Sequence, residues 1–152
     1  GSGGEGGSGG EGGSGGSGGE GGSYSNSTGG YDLKLNEIWA LIKDENYLDA
    51  LNDLEEYVYE NPKNPDGWNL IGFTSRKLEI YDNAEVYYET GLQIDANHEG
   101  ILEYQGELYL QTDRYEKALD NLKKLDELCL FNCTEKKQLA AAIETYKKDN
   151  NL

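Results

Sequence analysis

The side chains of this 152-residue chain best suited to chemistry are two cysteines, one histidine and a large excess of carboxylates. Cys129 and Cys133 stand close together. Their spacing suits a local disulfide, the reading preferred here, or two thiols packed side by side. A bridge would close a very small loop, so its chain-entropy gain would be modest. Metal is the least favoured reading: His98 lies far along the chain and completes no zinc spacing. His98 stands at a helix start and reads as a cap or a surface residue. No G-x-S-x-G, H-E-x-x-H or Walker sequence occurs. The first residues satisfy G-x-G-x-x-G, but no strand precedes them, so the match carries no nucleotide chemistry. The carboxylates are expected on solvated helix faces. The chain therefore reads as non-enzymatic, with no catalytic residue, metal or cofactor. Two Asn-x-Ser/Thr acceptor patterns, at Asn26 and Asn132, would matter only in an exported protein.

Composition divides the chain. Of its 22 glycines, 17 fall within residues 1–30, a stretch with no aliphatic side chain and hence no means of building a core. Residues 31–152 hold nearly all the apolar side chains and form the expected folded domain. The net charge of −16 repels phosphate backbones and anionic lipid, which argues against nucleic-acid and membrane-surface roles. No run is long and apolar enough to cross a bilayer, so membrane insertion is not expected. The chain begins without Met or a signal-peptide core and reads as processed. The paired cysteines suggest an oxidising compartment.

Within residues 1–23 every third residue, from Ser2 and Glu5 to Glu20 and Ser23, is Ser or Glu, and both intervening positions are Gly. Three residues per turn would align those side chains in one row and leave bare backbone on the others. Extended at ~3.1 Å per residue, the run would reach roughly 70 Å. The plainer reading is a flexible spacer. The more specific one is a segment that docks on a neighbouring copy.

The elements that would position any site follow from a repeat. Ala50, Ala84 and Ala118 are equally spaced, as are Tyr47, Tyr81 and Tyr115, and Gly72 and Gly106, with a common period of 34. Small residues let paired helices approach closely. From Asn46 to Glu60, Tyr47, Leu48, Leu51, Leu54 and Val58 make a helical stripe. Asn61-Pro62 stops that helix, and Asn64-Pro65 starts the next with an N-cap and a proline at the first position. Seven helices are expected, at about 33–44, 47–60, 65–78, 81–94, 98–111, 115–129 and 134–148. The last carries Leu139, Ile143 and Tyr146 on one face and lysines elsewhere, as a solubilising cap does.

On these residues the chain resembles the tetratricopeptide-repeat family. Trp68, Gly72, Tyr81, Ala84 and Tyr88 fall on the signature of the middle unit. Gly106, Tyr109, Tyr115 and Ala118 follow in the third, and Tyr47, Ala50 and Pro62 in the first. Departures are Ile38, Ser75, Gly91 and Ala96. The resemblance implies an all-α, right-handed α-solenoid of three helix pairs with a C-terminal capping helix, preceded by the glycine-rich tail. It also implies a concave face that grips extended peptide, lined by Asn36, Trp39, Lys43, Asn69, Phe73, Arg76, Lys77, Glu103, Tyr104 and Glu107. The cysteine-containing ending is similar to short exported bacterial proteins of this family, which implies a periplasmic or extracellular chain. The implied partner is a protein or peptide. The sharper expectation is the tail of a neighbouring copy, giving a head-to-tail filament; the alternative is an adaptor for a different protein.

Overall fold

The computed structural model describes Tyr24, Ser25 and residues 30–152. The triplet tail of residues 1–23 and Asn26 lie outside that set. The described residues form seven helices: α1 (Leu33–Lys43), α2 (Tyr47–Glu60), α3 (Pro65–Lys77), α4 (Tyr81–Ile94), α5 (Glu99–Gln111), α6 (Tyr115–Leu128) and α7 (Thr134–Asp149). Each agrees within a residue with the spans read from the sequence.

Local chemistry explains the punctuation. Helices α1, α3 and α5 start on side-chain caps: Asp32 accepts from the Leu35 amide, Asn64 from Asp66 and the His98 ring from Ile101. Each satisfies an amide that has no partner inside the helix. The turns into α2, α4 and α6 use one device. Glu45, Glu79 and Asp113, one per repeat, sit in the left-handed region at φ 61°, 65° and 59°. The next amide then bonds back into the preceding helix: Asn46 to Leu41, Ile80 to Ser75 and Arg114 to Tyr109.

Packing makes two layers. Helices pair as α1–α2, α3–α4 and α5–α6, and α7 packs on α5 and α6. Among the odd-numbered helices, α1 touches α3, α3 touches α5 and α5 touches α7, whereas α2, α4 and α6 do not touch one another. A stack tight along one layer and open along the other must curve toward the tight one. The odd-numbered helices therefore line the inside of the curve.

Small residues set the close approaches. A Cβ on Gly72 would lie 2.5 Å from the Tyr88 ring, and one on Gly91 would collide with Ile101. Gly91, a departure from the repeat signature, is thus what lets α4 meet α5. One expectation fails in detail: Leu48 is exposed, and Tyr57 is buried in its stead. Burial suits Tyr57 because its hydroxyl donates to Asp32 at 2.6 Å and accepts from Asn64 at 2.9 Å.

Candidate peptide-binding groove

The concave face divides into two ends. At the first, Asn36 of α1 holds a piece of extended chain. The Tyr24 amide donates to Asn36 Oδ1 at 3.0 Å, and Asn36 Nδ2 donates to the Tyr24 carbonyl at 3.0 Å. The Asp32 amide donates to the same carbonyl at 2.9 Å. Ser25 and Tyr31 form an antiparallel bridge that closes the segment back on itself. The Tyr24 ring meets Trp39 edge-on, 6.3 Å between centroids, and only 1% of the residue is exposed. Burial, and then the negative Asp66, push its phenol well above the ordinary tyrosine range, so it stays protonated.

Asp66, at the start of α3, is buried with His98. The His98 ring nitrogen Nδ1 accepts from the Ile101 amide at 3.0 Å, so Nε2 carries the hydrogen and donates to Asp66 Oδ1 at 2.7 Å. His98 is thus a cap, as expected, but a fully buried one that ties α3 to α5.

At the second end, Phe73 of α3 and Tyr104 of α5 pack at 4.7 Å between ring centroids. The Arg76 guanidinium lies 5.5 Å from the Phe73 centroid and 5.6 Å from that of Tyr104. Its Nη1 donates to Gln111 Oε1 at 2.8 Å and pairs with Glu107 at 3.7 Å. Lys77 Nζ approaches the Phe73 ring at 5.7 Å. A cleft of about 380 Å³ opens beside this cluster, lined by Arg76, Glu107, Leu110, Gln111, Ala142, Thr145, Tyr146 and Asp149.

Most of the expected groove residues are thus found along one layer. Asn36, Trp39 and Asn69 belong to the first end and the middle, and Phe73, Arg76, Lys77, Tyr104 and Glu107 to the second. Lys43 is exposed on the last turn of α1. Glu103 is not a solvated carboxylate: it is 1% exposed, and burial, then a hydrogen bond with Glu107, holds its carboxyl well above the usual range. The expectation of solvated carboxylates also fails for Asp66 and Glu135, both buried. Sequence reasoning missed Tyr24, Asp66 and Gln111. Asp66 and Gln111 stand one period from Asp32 and Lys77, so the repeat itself could have placed them.

Cys129 and Cys133 are paired as a disulfide, Cα atoms 5.5 Å apart, between α6 and α7. Asn132 is exposed in that turn, with φ 49°. Among the described residues no group of His, Cys, Asp and Glu is placed to hold a metal ion, and no helix is long and apolar enough to cross a membrane.

Stacked helical hairpins with a lined concave face define an α-solenoid. Residues 65–98 match the family model described as tetratricopeptide repeat. No curated protein matches it. Among solved structures it is similar to the Yersinia enterocolitica type III secretion translocator chaperone SycD, with a TM-score of 0.67, 17% identity, and coverage of 79% of this chain and 85% of that one. SycD in complex with a peptide of the translocator YopD matches with a TM-score of 0.65 and 18% identity, covering 78% and 92%. PcrH in complex with the chaperone binding region of PopD matches with a TM-score of 0.67 and 14% identity, covering 78% and 91%. At these identities the likeness is one of fold. These neighbours are cytoplasmic chaperones rather than exported subunits, and they overturn the expectation of a periplasmic or extracellular chain. That expectation leaned on the cysteine pair, and a local bridge says little about compartment.

Proposed function

We propose that this chain is a non-enzymatic protein-interaction module that grips an extended peptide on its concave face. The observation carrying this reading is the Asn36 carboxamide, which donates to the carbonyl and accepts from the amide of one residue, Tyr24. That is how a side chain holds backbone independently of sequence. Trp39 and the Phe73–Tyr104 pair add flat apolar contact with few rotors to freeze. Two fold neighbours are described as complexes with a translocator peptide and a chaperone binding region, which supports peptide as the ligand class. A polarisation assay tests it, with a labelled peptide of residues 18–31 and the full chain carrying Tyr24→Ala to vacate the site. Binding is expected, and Asn36→Ala should weaken it about ten-fold, the loss of roughly two hydrogen bonds. Equal binding by both proteins would sink the reading.

The finer proposal concerns the occupant: the glycine-rich tail of a neighbouring copy. Residues 1–23 lead directly into Tyr24, so the tail starts at the mouth of a groove. Bare glycine backbone can approach a groove wall closely, and the buried Asn69 Oδ1 and Trp39 Nε1 have no hydrogen-bond partner. A tail exchanged head to tail makes an open polymer. Sedimentation velocity on the full chain and on a chain lacking residues 1–23 should show assembly only in the former. Assembly that survives truncation excludes tail exchange. If neither form assembles, the occupant is a different protein, and the chain is an adaptor.

A further inference from the structure

Two surfaces of the molecule take no part in the concave groove. The first lies on the outer layer. Because α2 and α4 do not touch, a cleft of about 420 Å³ opens among α2, α3 and α4. Its walls include Val58, Pro62, Trp68, Ile71 and Tyr87, with Glu55 as the one charged side chain. Trp68 and Tyr87 are half-buried, with 5.9 Å between ring centroids. Trp68 Nε1 already donates to the Pro62 carbonyl at 2.9 Å, so the indole offers ring surface and needs no further acceptor. The second surface is the turn between α6 and α7. Leu130 and Phe131 are 85% and 82% exposed, and they stand inside the small ring that the Cys129–Cys133 disulfide closes. Two adjacent large apolar side chains this bare form a patch rather than a scatter. The ring restricts their backbone, so a partner has less freedom to freeze.

We propose that the Leu130–Phe131 tip of one copy enters the Trp68–Tyr87 cleft of a second copy. The tip does not meet its own cleft, because α6 and α7 pack on α5 and on each other and not on α2, α3 or α4. Charge sets the orientation. Residues 31–113 carry 19 acidic and 5 basic side chains, whereas residues 114–152 carry 7 and 8. Two acidic bodies repel, which disfavours a two-fold pairing of cleft against cleft. The trailing end is nearly neutral. It brings Lys137, exposed in the first turn of α7, toward a body whose cleft holds Glu55. Unlike surfaces meet, so the contact is heterologous and leaves a free tip and a free cleft at the two ends of any assembly. Two inserted side chains make a small contact, with a dissociation constant on the order of 1 mM. It adds to an assembly at high concentration and leaves the chain lacking residues 1–23 monomeric at micromolar loading. The contact lies on the outer layer and stands independently of the peptide groove.

The test is an NMR titration of full-length chains. The isotope-labelled chain carries Leu130→Ser and Phe131→Ser, two exposed positions outside the core, so it receives a tip and cannot supply one. Unlabelled wild-type chain, added to about 1 mM, should move the Trp68 indole and Tyr87 amide resonances along a saturating curve. The unlabelled double variant should leave them in place, a response at least about ten-fold weaker. Movement with both unlabelled chains, or with neither, overturns the proposal. A wild-type response confined to other surfaces does so too, and hands the cleft to a different protein. Tail exchange is told apart by place. It moves Trp39 and Asn69 on the inner layer, and with either unlabelled chain, since both carry residues 1–23. Movement at Trp68 and Tyr87 without movement at Trp39 and Asn69 keeps the tip contact and removes the tail; the opposite pattern does the reverse.

Discussion

The first and third repeats present the same positions to the concave face and do opposite things with them. At one period's spacing stand Leu35, Asn69 and Glu103, and likewise Trp39, Phe73 and Glu107. In the first repeat these are apolar, and the adjacent Asn36 is satisfied by Tyr24. In the third they are acidic, and Glu103 lies buried against the like-charged Glu107. The fold fixes where a side chain points. It does not fix whether that side chain is content there.

The largest change expected from breaking the first end is Trp39→Ala. It removes a ring buried against Tyr24 and the α1 core and should cost about 3–5 kcal/mol in chemical denaturation. The second end should respond in the opposite direction. Glu103→Met replaces a buried carboxyl that faces Glu107 with an apolar chain of similar length and should stabilise by about 1–3 kcal/mol. Loss of stability instead would mean that Glu103 is better satisfied than the geometry indicates.

A pH series sharpens the same contrast. The folded state holds the Glu103 proton more tightly than the unfolded chain does. Its favourable contribution is therefore complete below the ordinary glutamate range and is lost as pH rises through the elevated folded value. In Glu103→Met that decline should vanish, as read from denaturation midpoints across the series. Asn36→Ala, at the satisfied end, should destabilise by about 1–2 kcal/mol, because Tyr24 loses two hydrogen bonds. The smallest effect belongs to neither end. Glu79→Gly relieves a left-handed backbone and should stabilise by about 1 kcal/mol or less, since glycine's extra unfolded-state freedom offsets part of the gain.

The helices were legible because small and aromatic residues recur at one period, and close helix packing leaves few other residues able to stand there. Gly72 against Tyr88 is the physical content of that signature. The helix layer on which the expected groove residues stand was legible by the same register. Its state was not. Whether Glu103 faces water or protein depends on α7 and on the neighbouring helices, which no single-helix pattern encodes. Tyr24 was hidden for a different reason: it belongs to no repeat, and its partner Asn36 lies across a sequence gap that carries no periodic signal.

Tyr24 also bears on how the stack comes apart. Solenoids hold together through contacts between adjacent units, so their terminal units are the natural places to fray. Here the leading unit cannot lift away alone, because Tyr24, held to α1 by Asn36, is also buried in one core cluster with Leu70 and Ile71 of α3. At the trailing edge α7 does the same service for α5 and α6. With both edges fastened, amide hydrogens of α1 should exchange nearly as slowly as those of α3, and a Tyr24→Gly chain should show the first unit opening on its own.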